Sequence, residues 1–98
     1  MNRGEIWTYQ ALARTRRVLV VSADELNAAG KPITVDITDT APTGVVALLS
    51  VPLPDRSGYI RVRALAFADP DRFTERVAVL PDNVMDQVNM ALRAALAL

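Results

Sequence analysis

Arg16-Arg17-Val18-Leu19-Val20-Val21-Ser22 sets two guanidiniums directly against four consecutive apolar β-formers. An uninterrupted run of this kind is the mark of a strand buried on both faces. Such a strand has its backbone held from both sides, so an arginine at its mouth sits on a rigid support and can be aimed. Arginine is planar and permanently charged, which suits it to gripping a phosphate. The plainer reading is that Arg16 and Arg17 only solvate the end of a core strand, and the two residues by themselves do not separate these possibilities.

Working outward, Glu5-Ile6-Trp7-Thr8-Tyr9-Gln10 alternates in polarity and is rich in β-formers, so it reads as a preceding strand with Ile6 turned inward. A lone Trp7 there reads as core before it reads as a platform for a base. After the buried strand, Ser22 with Glu25 three residues on is a capping-box pattern, and Gly30 is a stop, which predicts one or two helical turns. Pro32 to Asp39 reads as a third strand, Pro42-Thr43-Gly44 as a turn and Val45 to Val51 as a fourth strand. Pro52 to Gly58 is a loop by its breakers. Tyr59 to Ala68 and Glu75 to Leu80 read as strands separated by a tight turn at Asp69-Pro70-Asp71-Arg72-Phe73. From Pro81-Asp82-Asn83 onward a helix of about 15 residues is expected, with Val84, Val88, Ala91, Leu92 and Ala95 on one face and Met85, Met90, Leu96 and Leu98 widening the stripe. Six short strands without βαβ alternation predict a β-rich α+β domain: a small, strongly curved antiparallel sheet or SH3-like barrel, with a short helix after strand 2 and a C-terminal helix. The wide apolar stripe on that helix predicts an oligomer contact as well as core.

Ninety-eight residues, half of them apolar, suit one domain over residues 1–98. Without cysteine there is no disulfide framework and no thiolate, and without histidine a zinc hydrolase or a His-based triad is disfavoured. No metal site and no cofactor are expected. The opening stretch is charged rather than apolar and no run approaches the roughly 20 residues of a membrane span, so a cytoplasmic protein without membrane contact is predicted. Net charge is zero but unevenly spread. Residues 1–17 hold four Arg against one Glu, residues 18–55 one Lys against five acids, residues 56–63 three Arg and no acid, and residues 64–98 three Arg against five acids. Arg14, Arg16 and Arg17 therefore form one patch with Arg61 and Arg63 if the fold brings the two basic segments together.

Five pieces of the chain, in order, resemble the MazF/PemK family of toxin endoribonucleases. Arg3-Gly4-Glu5-Ile6-Trp7 is similar to the family's first strand, and Arg16-Arg17-Val18-Leu19-Val20-Val21-Ser22 to its Arg-Pro-Val-Leu-Val-Val-Ser. Asp24-Glu25-Leu26-Asn27 resembles its Asp-x-Phe-Asn, Ile37-Thr38 its Ile-Thr, and Val88 to Leu98 its Val-x-x-Ala-Leu-x-x-x-Leu-Gly-Leu. The resemblance implies a CcdB-like fold and metal-independent, sequence-selective cleavage of single-stranded RNA, by attack of a ribose 2′-hydroxyl on the adjacent phosphate. It also implies a homodimer and a cognate antitoxin protein as partner. By position, the family's catalytic arginine falls on Arg16 and its catalytic threonine on Thr38. Arg14, Arg17, Arg61 and Arg63 are the RNA-binding candidates, and either Asp36 or Asp39 is available as a base.

Four departures accompany the match. The connection between the first two strands is short, Arg17 replaces Pro, Asp36 stands where Pro commonly precedes Ile-Thr, and Arg63-Ala64-Leu65-Ala66-Phe67-Ala68-Asp69 lacks most of the family's polar groups at that segment. They leave open a non-catalytic module that shares the fold. A gyrase poison of the CcdB type is the other alternative; its Trp-Gly-Ile ending contrasts with Leu96-Ala97-Leu98 here.

Overall fold

A computed structural model describes residues 1–98. Six strands form one antiparallel sheet: β1 Glu5–Gln10, β2 Thr15–Val20, β3 Ile33–Thr38, β4 Ser50–Pro52, β5 Tyr59–Phe67 and β6 Phe73–Val79, with helices α1 Asp24–Ala28 and α2 Asp82–Leu96. The strand order is β4-β5-β3-β2-β1-β6. The sheet is open rather than closed, because β4 and β6 each have a single neighbour. β2 lies near its middle, and Val18, Leu19 and Val20 are at most 2% exposed, as a strand covered on both faces requires.

One face carries the core. Ile6, Leu19, Val35, Ile37, Ile60 and Val62 pack there with Leu80 and with Val84, Met85 and Val88 of α2. Arg3 pins α2 to the sheet: its guanidinium donates to the Val21 carbonyl and to Asn89 Oδ1, while its backbone N–H donates to Asp24 Oδ1 at 2.8 Å. Glu5 anchors the same end. Burial, the strongest single influence on its carboxyl, pushes the pKa up. Hydrogen bonds from the Asn2 N–H, Trp7 Nε1 and Arg76, with the amino terminus nearby, outweigh it together and hold the group below its ordinary value. Trp7 is thereby fixed, with its indole edge-on to Phe73 at 5.8 Å.

Two local expectations give way. Val45 to Val51 is not one strand. Gly44–Leu49 is a 3-10 helix begun by Gly44 at φ +66°, and only Ser50–Pro52 pairs, with β5 alone. At the sheet's edge there is a surface to cover one side of this run but not both, so Val46 and Leu49, one 3-10 turn apart, are half-buried while Val45 and Leu48 face outward. The capping box is also absent. α1 starts after Ala23 with no side-chain cap, because the Ser22 hydroxyl donates to Asn27 Oδ1 and accepts from the Ile33 N–H at 2.9 Å. Ser22 ties α1 to β3 instead of capping it. The Gly30 stop holds: Gly30 at φ +74° and Lys31 donate back to the Asn27 and Leu26 carbonyls, a Schellman ending.

Candidate nucleic-acid interface

β1 and β2 are joined by the four residues 11–14, closed by an Ala11 N–H to Arg14 carbonyl bond of 2.9 Å. This tight hairpin sets Gln10 opposite Thr15 and Tyr9 opposite Arg16. Along the next pair Arg17 faces Ile37, so one step further in the same register Arg16 lies across from Thr38. Alternation then puts Arg16, Thr38, Asp36 and Tyr9 on the face opposite the main core.

Three depressions with shared lining residues run across this end of the sheet. The first, about 530 Å³, is lined by Tyr9, residues 11–14, Arg16 and Arg72. The second, about 370 Å³, takes in Thr8, Arg14 to Arg17 and Asp36 to Asp39. The third, about 260 Å³, includes Thr38, Thr40 to Thr43, Val46 and Arg61. Arg14 and Arg16 join the first to the second, and Thr38 joins the second to the third. The result is one continuous shallow track.

Arg16 is held in this track by Asp36, whose Oδ1 lies 3.9 Å from its Nε, and by the Tyr9 ring, whose centroid lies 5.7 Å from Cζ. Arg61 approaches the other oxygen of Asp36 at 3.6 Å. The two basic segments of the sequence thus meet, with one carboxylate between them. The Thr38 hydroxyl accepts the Thr40 N–H at 3.2 Å, which leaves its own proton free to be donated.

The other candidates are placed differently. Arg17 borders the second depression, but, next to Arg16 in an extended strand, it has its guanidinium tied elsewhere. It donates to the Ser57 hydroxyl at 2.8 Å and to the Ser57 carbonyl at 3.1 Å, closing the Pro52 to Gly58 loop. Asp55 joins this cluster, and its carboxyl is held below its ordinary value by hydrogen bonds from the Ser57 backbone and hydroxyl with Arg17 nearby. Arg63 does not accompany Arg61. Between Val35 and Asp36 the pairing on β5 jumps from Leu65 to Arg61, so Arg63 stands exposed within a bulge and lines none of the three depressions. Asp39 is exposed in the track and free of ion pairs, unlike Asp36.

Arg72 is the track residue that reading the sequence overlooked. It follows β5 in a short 3-10 turn, donates to the Gln10 carbonyl at 3.0 Å and comes within 3.6 Å of Asp69. Only the β1–β6 pairing, which sets Tyr9 against Phe73, brings it beside Arg14 and Arg16.

Comparison with known proteins identifies the family and the fold. The family model described as PemK-like, MazF-like toxin of type II toxin–antitoxin system matches residues 2–96. No curated protein matches the sequence significantly. Among solved structures, an endoribonuclease in complex with its cognate antitoxin from a mycobacterial species superposes with a TM-score of 0.90 at 20% identity, over 100% of this chain and 96% of that one. A MazE–MazF complex from Deinococcus radiodurans gives 0.85 at 22% identity, over 100% and 96%. The Mycobacterium tuberculosis toxin MazF-mt6 gives 0.81 at 16%, over 96% and 97%. Likenesses at this level of identity establish the fold.

Proposed function

The chain belongs to the PemK-like, MazF-like toxins of type II toxin–antitoxin systems, and from that premise we propose that it is a cytoplasmic endoribonuclease that cleaves single-stranded RNA sequence-selectively and without a metal. The observation that carries the reading is the continuous track with Arg16 and Thr38 at its junctions. Arg14, Arg61 and Arg72 line it with positive charge, a pattern suited to following a phosphate backbone.

In this mechanism a ribose 2′-hydroxyl attacks the adjacent phosphorus and the P–O5′ bond breaks, the departing 5′-oxygen taking a proton from solvent, so the substrate supplies its own nucleophile. Arg16 stabilises the charge that builds on the phosphoryl oxygens, a role in which a preorganised donor is effective because it needs no reorganisation during the reaction. Thr38 donates a hydrogen bond from its free hydroxyl proton to one of those oxygens. Asp39, the track carboxylate without an arginine partner, takes the 2′-hydroxyl proton in this reading. Attack by the substrate's own hydroxyl needs no metal-activated water, and no three carboxylates of this chain converge into a ligand set.

We place the active protein as a homodimer with tracks that cross the subunit interface and are silenced when a cognate antitoxin segment fills them. The exposed Met90, Leu96 and Leu98 of the C-terminal segment, with Val45 and Leu48, support such a contact, as do the antitoxin complexes among the structural neighbours. No helix is long and apolar enough to cross a membrane. One observation favours a second reading, a non-catalytic binding module: Leu65 and Phe67 are exposed on a stretch with few polar groups.

The test is incubation of purified protein with a long RNA in EDTA, followed by mapping of the cut ends. Discrete cuts bearing 2′,3′-cyclic phosphate and 5′-hydroxyl termini are expected. Intact RNA that is nevertheless bound would favour the module, and a divalent-metal requirement or 5′-phosphate ends would rule out attack by the 2′-hydroxyl.

A further inference from the structure

Asp36 stands at the centre of the track, and the mechanism above gives it no task. It lies directly opposite Val18 on β2 and Arg61 on β5. Its side chain therefore shares a sheet face with Arg61 and, on the diagonal, with Arg16. That side chain is only 16% exposed. Arg16 Nε and Asp36 Oδ1 are both shut off from water, and neither has a hydrogen-bond partner. A buried donor and a buried charged acceptor are each costly to leave alone, and the attraction of opposite charges 3.9 Å apart, longer than a hydrogen bond, offsets part of that cost.

The direction of the contact is the informative part. Asp36 meets Arg16 at Nε, the inner edge of the guanidinium, and the Tyr9 ring lies near the same group. The two terminal nitrogens keep no ion pair within the chain. A carboxylate that blocked the arginine in place of substrate would cover the terminal nitrogens instead, because those form the fork that matches a phosphate.

We infer that Asp36 is a positioning residue: it grips Arg16 along its Nε edge and braces Arg61 on the other side, holding the terminal nitrogens of Arg16 as an open fork for a phosphodiester. The inference rests on the reading of Arg16 as the phosphate-gripping group. Asp36 itself need not touch RNA. A carboxylate that only neutralised charge would behave differently, since its loss would strengthen RNA binding without slowing turnover.

The test uses Asp36→Ala and Asp36→Asn beside Arg16→Ala and the wild-type protein. Proton exchange at Arg16 Nε, followed by NMR without RNA, should be at least about tenfold slower than at the exposed Arg56, since an N–H buried against a carboxylate is shielded from water. Asp36→Ala should abolish that protection, and Asp36→Asn should keep part of it, because the amide fills the same space and still turns a partly negative oxygen toward Nε. In cleavage assays Asp36→Ala should lower kcat by roughly 10- to 100-fold while KM changes less than about threefold, as expected when a reacting group is misaimed rather than unbound. Asp36→Asn should recover part of that loss at an unchanged melting temperature. Equal exchange at Arg16 and Arg56 in the wild-type protein overturns the inference whether or not RNA is cleaved. Wild-type kcat in Asp36→Ala beside an inactive Arg16→Ala also overturns it, while leaving the role of Arg16 intact.

Discussion

Replacing Gly58 by alanine should weaken the fold and the cleavage site together. A Cβ at this position would lie 2.7 Å from Arg17 Nη2 and 2.7 Å from the Thr38 carbonyl oxygen. The first neighbour is the tip of a flexible side chain and can swing aside. The second is the backbone of β3, paired at that point with Tyr59, the residue after Gly58. Ordinary contact begins at 3.4 Å, so the two strand ends must separate by about 0.7 Å. Overpacking of this kind costs about 1–3 kcal/mol, which for a domain of this size is a fall of roughly 4–24 °C in melting temperature. The displacement falls on Thr38 and on the Arg17–Ser57 bonds, and a misplacement approaching 1 Å near reacting groups can cost up to about 100-fold in rate. Thermal unfolding and cleavage of a long RNA measure the two effects. Gly30→Ala is the control: no atom lies within 4 Å of its Cβ, so it suffers only the strain of φ +74°, away from the track. It should lose about 1–2 kcal/mol with its turnover intact. A Gly58→Ala protein with wild-type melting and cleavage would refute the steric argument. One that loses stability but cleaves as well as Gly30→Ala would show that the strain is absorbed away from Thr38.

Arg16→Ala should reduce cleavage by about 10²–10³-fold in a protein that still folds, with some loss of melting temperature because the buried Asp36 oxygen loses its neighbour; near wild-type cleavage by the folded variant would remove Arg16 from the mechanism. Arg61→Gln should weaken binding of an uncleavable RNA and flatten its salt dependence by a slope of roughly 0.7, whereas Arg63→Gln, in the bulge, should change neither; equal effects would mean that the track extends over β5. Glu5 stabilises the fold through a carboxyl whose folded-state pKa is lowered. That contribution is complete above the unfolded value near 4.3 and drains away as pH falls through the folded value. Glu5→Gln should accordingly cost about 1–2 kcal/mol at neutral pH, with the gap to wild type closing on acidification; a gap independent of pH in denaturant titrations would refute this. Sedimentation at micromolar concentration should give the mass of a dimer, and a monomer would leave the exposed apolar residues of the C-terminal segment unexplained.

The elements with a clean local signal were legible in the chain itself. Apolar periodicity marked β1, β2, β3 and the start of α2, and breakers marked the Pro52 to Gly58 loop. The order of short motifs was enough for the family, because it depends on residue identity and spacing alone. Arg16 and Thr38 came from the same source, and the register then set them across from one another. Where a segment's conformation depends on what covers it, local pattern fell short. Val45 to Leu49 is as apolar as a strand, yet its place at an edge turns it into a 3-10 helix. Ser22 fits a cap, yet a β3 backbone N–H claims its hydroxyl.

The sequence by itself determined the β-rich α+β class, the family and the two residues on which the proposed chemistry turns, since each is a property of short windows. Tertiary structure alone decided the membership of the track. A bulge in β5 removes Arg63 and keeps Arg61, strand alternation turns Arg17 to the Ser57 loop, the β1–β6 pairing brings in Arg72, and Asp36 ends between two guanidiniums. Each depends on the registers of several strand pairs taken together, and a register is set by packing between segments that lie far apart in the chain.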